Sequence, residues 1–575
     1  MRKDNKSSPT GPGPTIDRRA LLMRTGALAT AALLPSREAF TASAQGCSTA
    51  NGEAVEAGST VAVVETAYGT IAGYRHASVY AFKGVPYADS AAGEHRFLPP
   101  RAPVAWSGVR SCRHYGPVCP QDKGTGRFND EEAFIFQWND SVEREDCLRI
   151  NIWTPGLSDG GKRPVMVWLH GGGFVAGSGN DIPAFDGENL ARHGNAVVVT
   201  LNHRLNMLGF LDLGAYGESF EDSANVGMLD IVAALRWVRD HIAHFGGDPN
   251  CVTVFGQSGG GGKVSALMGM PAARGLFHRA GIMSGSFRFA LPQQRSQRLA
   301  ELVIAELGLN KDTIERLHEL PYAELRRASD SVLARENPPA GAVPDVRRIV
   351  NQLGYSPVVD GRVLPQAPFV DGAPQLSAQI PMMIGTTVNE FVSGINHPEF
   401  EQMSDRELAA HVDAQYPGHA AEIVASFRLR TPAAQPFDLW SRIATAPVRQ
   451  AAIAQAAAKS AQGHAPAWLY LFARNSPVLD GRARAFHCAD IPYAFTNTDR
   501  CASMTGGGAP ARRLGHVICD AWVHFARTGN PNHPGLPAWL PYDKAGGKTM
   551  IFADNSRVAA HPDRNELGAL EAASA

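Results

Sequence analysis

Short apolar runs recur along the chain with helical patterns between them. Val165-Met166-Val167-Trp168-Leu169 is bounded by Pro164 and a glycine cluster, and Ala196-Val197-Val198-Val199-Thr200-Leu201 is rich in β-branched residues. Val252-Thr253-Val254-Phe255 and Ala467-Trp468-Leu469-Tyr470-Leu471-Phe472 are of the same kind. Continuous apolar runs of this length predict strands buried on both faces, as in a parallel sheet covered by helices. Between the second and third runs, Met228, Ile231, Val232, Leu235, Val238, Ile242 and Phe245 fall three or four apart. They form one apolar stripe of a helix, and Gly246-Gly247 is the glycine stop such a helix uses. Alternating strand and helix predict an α/β architecture with a mostly parallel sheet. The stretches 296–350 and 397–435 break this rhythm with helical patches, charges and loop residues, and read as helical insertions over one end of the sheet.

Both ends of the chain differ from this body. Arg2, Lys3, Lys6 and the pair Arg18-Arg19 precede a short apolar stretch, 26–34, and then Ala42-Ser43-Ala44. A basic region, a short apolar core and a small-residue site make an export signal over 1–44, cleaved after Ala44. The paired arginines point to the twin-arginine route. The apolar stretch is about half of the roughly 20 residues a membrane helix needs. Residues 45–60 read as a flexible mature N-terminus, 61–560 as one α/β body and 561–575 as a C-terminal tail.

Charge narrows the function. With 54 Lys+Arg against 55 Asp+Glu the net charge is −1, so no basic excess is available to neutralise nucleic-acid phosphates. All eight cysteines lie after the signal, and an even count in an exported chain permits disulfides.

Gly256-Gln257-Ser258-Gly259-Gly260 follows the run ending at Phe255 and precedes a helical pattern, 261–268. G-x-S-x-G between a strand and a helix is a nucleophile elbow: the sharp turn lifts the serine hydroxyl above the sheet. A phosphate-binding loop is excluded, because Gln257 and Val264 stand where that motif needs Gly and Ser or Thr. His170-Gly171-Gly172-Gly173-Phe174 follows another strand, and a glycine run there can aim backbone N–H groups at an oxyanion. Gly172, Gly173 and Gly259 are the expected donors. The serine needs a base, and the base needs an acid. Asp360, Glu390 and Asp490 are acid candidates; Glu390 is preferred because it follows the strand-like run 380–385. Among 19 histidines, His487 is preferred as base because it lies in a loop soon after the run ending at Phe472. His203 and His516 read as packed or surface residues. No metal or cofactor is expected: His318-Glu319 lacks the second histidine of a zinc-protease motif.

With these residues, the chain resembles the type-B carboxylesterase family, the cholinesterase-like branch of the α/β-hydrolases, from about Val61 to Asp543. Phe82-Lys83-Gly84-Val85-Pro86-Tyr87-Ala88, Arg96-Phe97-Leu98-Pro99-Pro100, Glu145-Asp146-Cys147-Leu148-Arg149-Ile150-Asn151, Phe245-Gly246-Gly247-Asp248-Pro249 and Ala526-Arg527-Thr528-Gly529-Asn530-Pro531-Asn532 carry the likeness. It implies an α/β-hydrolase fold and a catalytic triad of Ser258, Glu390 and His487. It also implies a Cys119–Cys147 disulfide, an Arg96–Glu145 structural ion pair and a supporting role for Ser284. Gln257 departs from the glutamate of cholinesterases, and no choline site is expected. Cys488 and Cys501 flank the histidine loop as a second pair the likeness does not demand. The implied activity is hydrolysis of small to medium carboxylic esters through an acyl-enzyme, with pocket walls from the insertions and near Phe174 and Phe287. Two alternatives share the pattern: a catalytically silent binding module, and an amide or carbamate hydrolase using the same triad.

Overall fold

A computed structural model describes residues 54–121, 129–288, 290–337 and 352–574. The export signal read over 1–44 lies outside the described residues. Among the described residues twelve strands form the main sheet. Seven of them run parallel, in the spatial order Val197–Leu201, Arg163–Leu169, Gly247–Gln257, Arg279–Met283, Met382–Thr387, Ala467–Phe472 and Lys548–Phe552. Antiparallel strands extend both edges: Arg149–Thr154, Val79–Pro86, Tyr74–His76 and Val55–Glu56 on one side and Arg557–Ala560 on the other. Val55–Glu56 belongs to the segment expected to be flexible and is paired with Tyr74–His76.

The apolar runs divide cleanly between two cores. Val165, Val167, Leu169, Val197, Val199, Leu201, Val252 and Val254 face one, which also takes the stripe of helix Val226–His241. Met166, Trp168, Val198, Phe255, Trp468 and Tyr470 face the other, against helix Gly508–Thr528. Successive strand side chains point to opposite faces, so a run apolar at every position must be covered on both. The helix stripe ends as expected: Ile242–Phe245 tightens into a 3-10 turn and Gly246 takes the left-handed conformation, φ 69°.

The two insertions are helical, as Gln293–Glu306 with Tyr322–Glu336, and as Asp405–Gln415 with Ala420–Arg430. The segment read as a C-terminal tail is corrected: Arg564–Ser574 is a helix. Leu570 is buried with Leu408, Ile423 and Phe427 in a separate small core. Glu566, 4% exposed, takes hydrogen bonds from Arg430 and Arg442. An apolar residue and a paired carboxylate on one short face were enough to dock a segment whose composition resembles a tail.

One ion pair ties the sheet to its covering helix. Arg204, beyond strand Val197–Leu201, donates from Nε and Nη2 to Asp230 at 2.8 and 2.6 Å, and both side chains are fully buried. Breaking such a pair leaves a charge uncompensated in low dielectric. Arg204→Met should therefore lower unfolding stability by about 3–5 kcal/mol. Urea denaturation measures this, and Arg204→Met/Asp230→Leu should recover part of the loss.

Candidate active site

Parallel strands place all their carboxyl ends on one edge of the sheet, and ligands bind there in open α/β sheets. Strand Arg163–Leu169 runs beside Gly247–Gln257, with Leu169 opposite Gly256. This pairing sets the glycine loop beside Ser258. Met382–Thr387 and Ala467–Phe472 pair with each other further along, so the loops carrying Glu390 and His487 leave the same edge.

Ser258 sits between strand and helix at φ 57°, ψ −126°, a region that costs an ordinary residue about 1–3 kcal/mol. Its N–H is held by Met283 O at 2.8 Å, and its carbonyl accepts from Gly262 N at 3.1 Å. Gly259 allows a close approach: a β-carbon there would stand 2.1 Å from Gly173 O. The glycine loop needs the left-handed conformation at Gly172, φ 76°, where a β-carbon would meet Ala176 O at 2.3 Å. The N–H groups of Gly172 and Gly173 have no protein acceptor among the described residues. Gly259 opens helix Gly259–Gly269, so its N–H has no intrahelical partner.

Glu390 is 1% exposed. Its Oε1 accepts from Thr387 N at 2.9 Å, and its Oε2 lies 2.5 Å from His487 Nδ1. His487 N also donates to Glu390 O at 2.7 Å. The other two acid candidates are engaged elsewhere. Asp360 accepts from Asn225 at 2.8 Å. Asp490 accepts from Tyr470 Oη at 2.9 Å, and its burial pushes its carboxyl up to about 7. His203 is buried and stacked on His170, and His516 is stacked on His193.

Gln257 Nε2 lies 3.0 Å from His487 Nε2 and 3.3 Å from Nδ1. An amide aimed along one ring nitrogen's lone pair would be far from the other nitrogen, so Gln257 lies over the ring face. Phe391 also packs on this ring, with centroids 3.9 Å apart. Cys488 Sγ donates to Gln257 Oε1 at 3.1 Å. The Ser258 hydroxyl makes no hydrogen bond among the described residues. Sequence reasoning gave Gln257 no contact with the histidine, read Cys488 only as a possible partner of Cys501, and missed Phe391, which no local pattern distinguishes.

Ser258, Gly172, Gly173, Gln257 and His487 line one cavity of about 660 Å³. Its apolar walls include Phe136, Trp138, Ile182, Phe185, Phe391 and Phe486. Of the expected walls, the residues beside Phe174 are present as Gly173, Ala176 and Gly177; among the described residues none comes from the helical insertions, and Phe174 and Phe287 pack on each other, 5.4 Å apart, outside the lining. The segment 132–143 takes that place, far upstream of Ser258 in sequence and with no periodic signal of its own.

Away from the cavity, Arg96 grips Glu145 with two hydrogen bonds of 2.7 Å and reaches Leu320 O at 2.9 Å. Cys119 and Cys147 are buried neighbours, their contact and burial raising the Cys147 thiol. Ser284 is buried at φ 49° with its Oγ unpaired among the described residues.

Residues 60–569 match the carboxylesterase family. The chain is 34% identical to a para-nitrobenzyl esterase of Bacillus subtilis (strain 168), covering 87% of this chain and 96% of that one. It is 32% identical to a phenmedipham hydrolase of Pseudarthrobacter oxydans, covering 87% and 98%. Among solved structures, an esterase from anaerobic Clostridium hathewayi described as able to hydrolyse aliphatic aromatic polyesters aligns with a TM-score of 0.77 at 37% identity, covering 90% and 100%.

Proposed function

The chain belongs to the carboxylesterase family and is a serine carboxylesterase, and from that premise we propose that Ser258, His487 and Glu390 are its catalytic triad. The observation that carries the reading is one cavity holding the strained serine, the histidine and unpaired backbone donors, with a buried carboxylate behind the histidine. An ionised carboxylate only accepts, so Glu390 keeps the proton on His487 Nδ1 and leaves Nε2 as the base. Once substrate is bound, Ser258 Oγ bonds to the ester carbonyl carbon as its proton passes to Nε2. Negative charge moves onto the carbonyl oxygen, beside the N–H groups of Gly172, Gly173 and Gly259. The carbon–alkoxy bond then breaks and the alcohol leaves with the Nε2 proton. Water attacks the acyl-enzyme, gives a proton to Nε2, and Ser258 recovers it as the acid departs.

A cavity of about 660 Å³ with aromatic walls suits small to medium esters carrying an aromatic or short aliphatic group. The test is a fluorophosphonate probe with peptide mapping, run beside a p-nitrophenyl ester series. Label on the Ser258 peptide, with ester turnover lost in proportion, is the expected result. Full turnover after complete labelling, or label elsewhere, would contradict it.

The export signal over 1–44 and a Cys119–Cys147 bond formed on export are further parts of this reading. The contact of the two thiols supports the last of these. Among the described residues no helix is long and apolar enough to cross a membrane.

A further inference from the structure

The helix that starts after Ser258 opens with four glycines, Gly259 to Gly262, and Lys263 is its fifth residue. The glycines let its first turn rest on the sheet: a β-carbon on Gly260 would stand 1.9 Å from Leu169 O. Lys263 is fully buried, and its Nζ donates to His170 O at 2.9 Å. That oxygen belongs to the peptide unit joining His170 to Gly171. The next unit, Gly171 to Gly172, is held as well, because His170 Nδ1 lies 3.0 Å from Gly171 O. A carbonyl only accepts, so Nδ1 carries the ring proton. Two consecutive peptide planes are thus fixed from beneath the loop, and the second carries the Gly172 N–H.

We propose that Lys263 is a positioning residue for the oxyanion loop, holding the His170 carbonyl so that the Gly172 and Gly173 N–H groups face the ester oxygen. This rests on the reading of those glycines as donors. The surroundings are His170, His203, the Phe174 ring 5.9 Å from Nζ, the Asp181 charge, and Arg204 paired to Asp230. Burial first, and the Lys263 charge second, hold both histidines well below their usual range, so His170 stays neutral. Burial likewise lowers Lys263 to about 7, with Asp181 opposing. Amine and ammonium both donate N–H, so the contact to His170 O persists through neutral pH. Lys263 has one protein acceptor among the described residues. A purely structural position of this kind would be filled more stably by an apolar chain of similar length, since burying an amine is costly.

The test compares Lys263→Met with the unaltered protein. Retained or higher melting temperature is expected, with kcat down roughly 10- to 100-fold, the cost of a misplaced reacting geometry. KM should stay within a few-fold. Affinity for a boronic acid, which forms a tetrahedral adduct on the serine, should fall by the same factor as kcat. Lys263→Gln, a shorter neutral donor, should recover part of the loss, and it serves the same comparison if Lys263→Met does not fold. Wild-type kcat and boronate affinity in these variants, beside an inactive Ser258→Ala, would overturn the inference alone. An active Ser258→Ala would instead overturn the reading beneath it.

Discussion

Ser258→Ala is expected to lower kcat for p-nitrophenyl ester hydrolysis by about 10⁵- to 10⁶-fold, in line with loss of the nucleophile in other serine hydrolases. The change removes only Oγ. The backbone that places residue 258 is held independently, by its N–H to Met283 O and its carbonyl to Gly262 N, and alanine meets the same φ of 57° that serine does. Melting temperature should therefore move little. The Gly172, Gly173 and Gly259 donors remain, so a residual acceleration of roughly 10³–10⁴ over water is expected, as binding and an oxyanion hole alone provide. Initial rates and a thermal melt on the same preparation decide the matter. A folded variant keeping even a hundredth of the activity would exclude Ser258 as the nucleophile.

Glu390→Gln should cost about 10⁴ in kcat, the size seen when the acid of such a triad becomes an amide. The structure gives a reason particular to this site. Oε1 accepts from Thr387 N at 2.9 Å, so an amide at 390 would place its oxygen there and turn its NH₂ toward His487 Nδ1. An NH₂ group donates, which moves the ring proton to Nε2 and leaves Ser258 without a base. The fold should survive, because the Thr387 contact is kept. Glu390→Asp keeps the charge but draws it back by one methylene, and its loss should be smaller. If Glu390→Gln retained a tenth of wild-type kcat, the acid would have to lie elsewhere, with Asp490 the next candidate to replace.

Much of this scaffold was legible before any coordinates. Val165 to Leu169 and Ala467 to Phe472 were recognisable as strands because burial on both faces leaves no polar position to blur the run. The elbow at Ser258 was recognisable because its glycines answer to short-range crowding, which Gly256 shows: a β-carbon there would stand 2.6 Å from the Gly260 carbonyl carbon. The glycine loop at 171–173 was legible for the same reason. Other features answered to contacts distant in sequence. Residues 564–574 looked like a tail, since the partners of Glu566 and Leu570 lie more than a hundred residues upstream. Lys263 has no role in the sequence reading, because its bond to His170 O joins the helix after one strand to the loop after its neighbour, 93 positions apart. The cavity wall at Phe136 and Trp138 carried no pattern at all.

By itself the sequence determined the elements, the strained serine turn and the glycine loop, because local sterics and burial act between residues a few positions apart. Only the tertiary structure decided which acid meets His487, what lies over its ring and what lines the cavity. Those distances follow from strand order, which brings the ends of Arg163–Leu169, Gly247–Gln257, Met382–Thr387 and Ala467–Phe472 to one edge, and strand order is written in no single segment.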